Sequence, residues 1–458
     1  MRSLGAKVAA ARAAGALSRA TGRGGTSLPG KVLLRLDPHA IGALGARLGR
    51  GSALISATNG KTTTAAMAAG ILKRGGGGLV HNRAGANMAG GIATTLLQAA
   101  GNDGPLDDAL GLFEVDEFWL GQVVEELRPR ALVLANLFRD QLDRYGELDI
   151  IADRWAAVAA AAAGTRLVLN SDDPTVADLG RDREGVLYFG VEDDSVALEE
   201  MQHAADAKHC RRCGAPYRYD AVYLGHLGRY HCDSCGATRP APAVYADDVV
   251  LDGVRGARFM LRTPEGAAHV ALPLPGLYNV YNALAAASLS LSLGAALEDV
   301  VLGLEAVSPA FGRAETARIA ERDMSILLVK NPAGANEVLR TLVLEDGEHD
   351  MFAVLNDNIA DGRDVSWVWD ADFEVLAPRV RHVTCSGTRA AEMALRLKYA
   401  GVPPDRIAVE PELGAGLDAA LRSTPPAPGR LFALPTYTAM LALRDLLVAR
   451  GVAGSSFA

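Results

Sequence analysis

A short apolar stretch, Leu54-Ile55-Ser56, runs straight into Ala57-Thr58-Asn59-Gly60-Lys61-Thr62-Thr63-Thr64, and a helical run rich in Ala and Met follows. Strand, Gly-Lys-Thr turn and helix, in that order, constrain the fold more than any other feature of the chain. Such a turn aims backbone N–H groups and the positive end of a helix at one point, which suits phosphate oxygens. Lys61 is placed to neutralise the outer phosphates and the Thr62 hydroxyl to ligate Mg2+. The full G-x4-GK[ST] form is not met, because Ile55 stands at the first Gly position. The alternative is an ordinary strand-to-helix turn; the flanking strand and helix favour the phosphate reading.

Further strands follow the same grammar. Ala109 to Phe113 ends in Glu114-Val115-Asp116-Glu117. Ala131 to Ala135 enters a polar segment from Asn136 to Gly146, and Leu167 to Asn170 enters Ser171-Asp172-Asp173-Pro174. Strands that end in polar clusters, with helices between, predict a doubly wound parallel sheet. An acid at the carboxyl end of a strand beside the phosphate turn, here Glu114, suits a metal ligand. The C-terminal part carries its own strands, at Ser325 to Val329, Met351 to Leu355, Arg381 to Cys385, Arg406 to Val409 and Leu431 to Leu434. Helices such as Ala390 to Tyr399 and Tyr437 to Ala449 separate them, which reads as a small Rossmann-like layer. Gly75 to Gly78 reads as a flexible connection and Pro425 to Gly429 as a loop. The expected organisation is one domain over residues 1–315 and a smaller one over 316–458.

Four of the five cysteines form two pairs, Cys210-x2-Cys213 and Cys232-x2-Cys235, with eighteen residues between the pairs. This spacing fits a zinc ribbon spanning about 205–240, in which two tight turns each offer two thiolates to one ion. Four thiolates leave no open position, so the ribbon is expected to be structural; a redox pair is the alternative. Tyr217 to Tyr223 alternates like a hairpin strand, and His231 is not needed as a ligand. Five cysteines are too few for a disulfide scaffold, and a reduced cytosol follows. Cys385 is read as a packed thiol.

The balance of 46 basic against 54 acidic residues, net −8, argues against a protein that coats nucleic acid. Aromatics make up only 5%, which disfavours base-stacking platforms. No stretch offers the ~18 continuous apolar residues of a membrane span. The N-terminus reads as a basic helix bearing Arg2, Lys7, Arg12 and Arg19, with no acid before Asp37. Three readings stand: an ordinary surface helix, a transit peptide, or a helix lying on the anionic inner face of the plasma membrane.

At this point the motifs carry a resemblance. The turn Thr58 to Thr63, Glu114 after a strand, Asn136 to Gly146, Asn170 to Asp173, Gly276 to Ala285 and Gly312-Arg313 resemble the Mur ligase central domain. The inserted ribbon and the segment Asn356 to Trp367 narrow this to the MurT-type subunits of lipid II isoglutaminyl synthase. The implied fold is α/β, a Mur ligase-type P-loop parallel-sheet domain with an inserted four-Cys zinc ribbon and a Rossmann-like C-terminal domain. Three departures stand out. A usual Gly of the family loop is Ala57, and Gln141 stands where many Mur ligases have His. The UDP-binding domain that usually precedes the loop is absent, which fits a substrate whose sugar is already lipid-linked.

The resemblance implies a ligase that activates a carboxylate with ATP. Thr58, Asn59, Gly60, Lys61, Thr62 and Thr63 would cradle the triphosphate, with Thr62 and Glu114 on Mg2+ and Cys210, Cys213, Cys232 and Cys235 on Zn2+. Asn279 and Asn282 would lie on the adenine side, and Arg313 would reach phosphate. Lys330 and Asn336 fall where the family has C-terminal contacts to nucleotide or substrate; a helix-start turn is the alternative. The implied substrate is the α-carboxylate of D-glutamate in the lipid II stem peptide. Ammonia requires a glutaminase with an activated Cys and a nearby His. Outside the ribbon this chain has one Cys and no convincing His partner. The resemblance therefore implies a GatD-like partner subunit, with Asp364 completing its triad across the interface; a loop acid capping a turn is the alternative. Two rivals remain. One is an amino-acid-adding ligase of the folylpolyglutamate synthase type. The other is a nucleic-acid-dependent P-loop ATPase, which a salt-dependent DNA or RNA shift would reveal.

Overall fold

The computed structural model describes residues 4–20, 27–82, 86–100, 106–140, 148–203, 205–308, 313–425 and 429–452. Strands β1 (Ser52–Ser56), β2 (Gly78–His81), β3 (Ala109–Glu114), β4 (Ala131–Leu134), β5 (Arg166–Asn170) and β6 (Leu187–Val191) come first. The ribbon hairpin β7 (Arg218–Leu224) and β8 (Leu227–His231) is followed by β9 (Val244–Leu251), β10 (Ala257–Thr263) and β11 (Gly266–Leu272). The chain closes with β12 (Arg313–Ile319), β13 (Arg322–Leu327), β14 (His349–Val354), β15 (Val380–Ser386), β16 (Ile407–Val409) and β17 (Arg430–Pro435).

The first sheet has nine strands in the order β11-β10-β9-β6-β5-β4-β1-β3-β2. From β2 to β9 the pairing is parallel; β10 and β11 extend the sheet as an antiparallel edge. The alternation along β1 shows why the sheet is doubly wound. Ala53 and Ile55 pack against one helix layer with Ala65, Ala68 and Leu284. Leu54 faces the other layer with Leu33, Ile92 and Leu120. Successive strand residues point to opposite faces, so a strand buried on both sides must be apolar throughout. β1 lies between β3 and β4, so the chain order reverses beside it. A crevice at the carboxyl ends of strands, at such a switch point, is where ligands of open α/β sheets bind.

The second sheet runs β12-β13-β17-β14-β15-β16 and is parallel apart from the β12–β13 pair. The five expected C-terminal strands correspond to β13, β14, β15, β16 and β17, with edges moved by a few residues. The helices Ala390–Tyr399 and Tyr437–Ala449 stand where the sequence placed them. Gly75 to Gly78 was read as a flexible connection, but Gly78 already begins β2. The antiparallel edge was not anticipated, although Ala257, Phe259 and Leu261 are buried in alternation with more exposed neighbours, a period-two signal.

The basic N-terminal helix, Leu4–Ala20, is an integral part of the first domain. Val8 and Ala11 enter its core. Lys7 pairs with Asp37 at 2.9 Å, and Arg12 donates to the Leu97 carbonyl. One face of the helix is therefore packed against the domain. Among the described residues no helix is long and apolar enough to cross a membrane.

Candidate functional site

The turn after β1 is built as the sequence implies. Gly60 has φ +86° and leads into the helix Lys61–Arg74. Only glycine tolerates that backbone cheaply, and a Cβ there would sit 2.0 Å from Asn282 Oδ1. The close approach explains the glycine twice over. The Asn282 amide accepts from Thr64 Oγ1 at 3.2 Å and donates to Asn279 Oδ1 at 3.0 Å. Asn279 in turn donates to the Pro275 carbonyl at 2.7 Å. Both asparagines sit in the first turns of the buried helix Leu277–Ser292 and support the loop from below.

From the other side, Asn136 clasps the loop. Its Oδ1 accepts from the Asn59 N–H at 2.9 Å, and its Nδ2 donates to the Asn59 carbonyl at 3.0 Å. The Thr58 hydroxyl accepts from the Phe138 N–H at 3.0 Å. Lys61 donates to the carbonyl of Ala57, the residue that replaces the usual glycine, and forms an ion pair with Glu117 at 3.0 Å. Glu114 is buried at the end of β3, in register with Ile55 of β1. The Asn82 amide bonds to the backbone of Glu114 at 2.9 and 2.8 Å. The Glu114 carboxylate offers hard oxygens of the kind Mg2+ takes, and Thr62 stands in the first turn of the helix Lys61–Arg74.

The C-terminal domain closes over this turn. Lys330 donates to Asp140 Oδ2 at 2.6 Å and to the Thr58 carbonyl at 3.3 Å. The Asn331 and Asn59 side chains bond to each other at 2.9 Å, and Asn331 caps the helix Pro332–Val343 through the Gly334 N–H. Between the domains opens a cleft floored by Asn59 and Gly60 and walled by Phe138, Leu224, Leu227 and Tyr278. Leu224 and Leu227 are the inner corners of the ribbon hairpin.

Asn336 lies outside the cleft lining. Its amide bonds twice to Asp372, at 2.8 and 2.7 Å, and so ties the helix to the connection between β14 and β15. Arg313 begins β12, but its side chain lies outside the described residues, as do Gly312 and the segment 141–147 that includes Gln141. Sequence reasoning did not assign Glu117, Asn136, Asp140, Asn331 or Glu337 to the site. Glu117, Asn136, Asp140 and Asn331 acquire their places from partners far along the chain, and Glu337 from the packing of its helix against the cleft, so no local spacing marks them.

The four ribbon sulfurs all lie within 4.8 Å of one another. Cys210 Sγ is 3.6 Å from Cys235 Sγ, and Cys213 Sγ is 3.5 Å from Cys232 Sγ. A tetrahedral zinc with Zn–S near 2.3 Å would set sulfurs about 3.8 Å apart, so the residues fit the ion. Burial acts to raise the Cys210 thiol, but the Tyr217 hydroxyl and the Arg212 and Cys213 backbone groups prevail and lower it. His231 turns instead to Asp220 and Asp233.

Asp364 is exposed on the loop after β14, where its Oδ1 accepts from the Ser366 N–H at 2.8 Å. That loop is pinned by Asp361, which accepts from the Thr438 N–H at 2.7 Å and from the Thr438 hydroxyl at 2.5 Å. Asp364 therefore faces solvent on the loop at the carboxyl end of the second sheet.

The chain matches the Mur ligase middle domain over residues 55–233 and the MurT ligase C-terminal domain over residues 328–440. It is 32% identical over 442 residues to a Streptococcus pneumoniae protein, the MurT subunit of glutamine-hydrolyzing lipid II isoglutaminyl synthase, covering 94% of each chain. The Staphylococcus aureus protein of the same name is 33% identical over 431 residues, again covering 94% of each. Among solved structures, a type C pseudomurein peptide ligase from Methanothermus fervidus superposes with a TM-score of 0.68 at 22% identity, covering 87% of this chain and 79% of that one.

Proposed function

The chain belongs to the MurT family of Mur ligase-like subunits, and from that premise we propose that it is the ATP-consuming subunit of a lipid II isoglutaminyl synthase. It amidates the α-carboxylate of D-glutamate in the lipid-linked stem peptide, using ammonia released by a glutaminase on a second polypeptide. The reading is carried by similarity along nearly the full length of two proteins bearing that name.

The geometry of the phosphate turn supports the nucleotide half of this reading. Lys61 and the N–H groups of the first turn after Gly60 receive the outer phosphates. Thr62 and Glu114 would hold Mg2+, which screens the charge that builds between phosphate and an incoming carboxylate. A carboxylate oxygen attacks the γ-phosphorus, the bond to the bridging oxygen breaks, and ADP leaves an acyl phosphate. Ammonia adds to the acyl carbon, the C–O bond to phosphate breaks, and loss of a proton gives the carboxamide. Asp364 orients the imidazole of the partner's glutaminase centre, in the way a triad acid does. The ribbon is structural and supports the cleft wall through Leu224 and Leu227.

The test is co-purification with a candidate glutaminase, then mass spectrometry of lipid II incubated with ATP and glutamine. Conversion of one carboxyl to a carboxamide is expected. An unchanged stem peptide with both subunits present would overturn the reading, as would robust glutamine hydrolysis by this chain alone.

A further inference from the structure

The cleft between the two domains holds an acid that the reaction above does not use. Glu337 lies in the middle of the helix Pro332–Val343, lines the cleft and is 2% exposed. Neither oxygen of its carboxyl is satisfied by a hydrogen bond of normal geometry. A buried polar group in that state calls for a partner.

The cations nearby are committed elsewhere. Lys330 is engaged with Asp140 and Thr58. Arg340, one turn along the same helix, donates to the carbonyls of Tyr223 and Val196 at 2.8 and 2.5 Å. The Tyr281 hydroxyl, also in the cleft, donates to Asp172 at 2.6 Å. The Glu337 carboxyl thus faces a space with apolar walls whose floor is the phosphate turn. The space begins at Asn59 and Gly60, so a base joined to phosphates held at that turn has room there, and apolar walls suit a heterocycle.

We propose that Glu337 is a nucleobase-reading residue of this cleft, which Asn282 also lines, its carboxyl pairing with the 6-amino group and an adjacent ring nitrogen of adenine. The inference rests on ATP being the nucleotide, as the functional reading has it. Its physical basis is a match of donors and acceptors. A neutral carboxyl offers one O–H donor beside one carbonyl acceptor. Adenine offers an amino donor beside a ring-nitrogen acceptor. Burial is the largest influence on Glu337 and pushes its carboxyl up to about 7, while the Arg340 charge and the Tyr278 backbone N–H oppose the rise. The neutral form is therefore well populated at neutral pH.

The experiment is a chemical double-mutant cycle on the full-length chain, read by direct nucleotide binding. Wild type, Glu337→Gln and Glu337→Met are each titrated with ATP, with purine riboside triphosphate, which lacks the 6-amino group, and with 2′-deoxy-ATP. Wild type should bind the deamino analogue ~10-fold or more weakly than ATP, as loss of a paired base edge requires. Gln keeps a donor beside an acceptor and should keep most of that preference. Met keeps the volume and should bind ATP and the deamino analogue alike. An equal preference in wild type and the Met variant would overturn the inference, as would coupling to the 2′-hydroxyl instead of the amino group. Failure of wild type to bind ATP at all, with Lys61→Ala as the reference for a broken phosphate site, would instead remove the functional reading on which it rests.

Discussion

Lys61 Nζ lies 3.0 Å from Glu117 Oε2, and both side chains are shielded from solvent. Burial on its own would lower the lysine's affinity for a proton, but Glu117, Asp116 and Asp140 more than reverse that and raise its pKa. Glu117 therefore keeps Lys61 charged and poised at the turn until phosphate competes for it. Lys61→Ala should reduce ATP-dependent amidation by ~100-fold or more, the scale set by removing one preorganised charge from a reacting centre. Glu117→Gln should cost far less, because the ammonium survives. Steady-state kinetics of the two-subunit enzyme checks both, and equal losses would show that Glu117 itself takes part in the chemistry.

The ribbon predicts a metal dependence that acts at a distance. The purified chain should carry one zinc ion by elemental analysis, and Cys210→Ala should lose it. Because Leu224 and Leu227 of the hairpin wall the cleft, loss of the ion should raise the KM for ATP by ~10-fold, the usual scale for a disturbed supporting shell. Unchanged nucleotide kinetics in a zinc-free variant would separate the ribbon from the cleft.

On the proposed reading, Asp364 divides the two half-reactions. Asp364→Asn should lower glutamine-dependent amidation by ~1,000-fold or more, as loss of a triad acid does, and leave ammonium-supported amidation nearly intact. If both nitrogen sources fail alike, the residue does not serve the glutaminase.

Asp361 should act on the same branch, but through position. Its carboxylate ties the loop bearing Asp364 to Thr438, at the start of the last long helix. Asp361→Ala should reduce the glutamine-dependent rate by about 10-fold, within the range for a displaced positioning group, and spare the ammonium-dependent rate. Parallel losses in both assays and in thermal stability would mark it as a folding residue only.

Lys330 joins the domains through Asp140 and the Thr58 carbonyl. Lys330→Ala removes a charged group from a half-buried pair and should cost about 1–3 kcal/mol in the grip of the closed cleft. The expected signature is a higher KM for ATP with a smaller change in kcat.

The phosphate turn, the cysteine pairs, four of the nine strands of the first sheet and five of the six strands of the second were legible because each rests on residues adjacent in sequence. Gly60 must precede Lys61 for the backbone to turn, and Cys210 and Cys213 share one turn of chain. The antiparallel edge at β10 and β11 was legible in principle through its alternating burial, yet its half-exposed pattern competes with that of a surface helix or loop. Asn336 shows the opposite outcome: its place in a promising segment pointed to nucleotide, and its partner proved to be Asp372.

By itself the sequence determined that this chain folds into two α/β layers with a phosphate-binding turn and a four-thiol ribbon, since backbone geometry and metal spacing are local properties. Only the tertiary structure decided that Asn282 supports Gly60, that Glu117 holds Lys61, and that Glu337 faces the cleft left open beside them. Those relationships join residues from different helices, strands and loops, and the packing of whole faces sets which side chains meet.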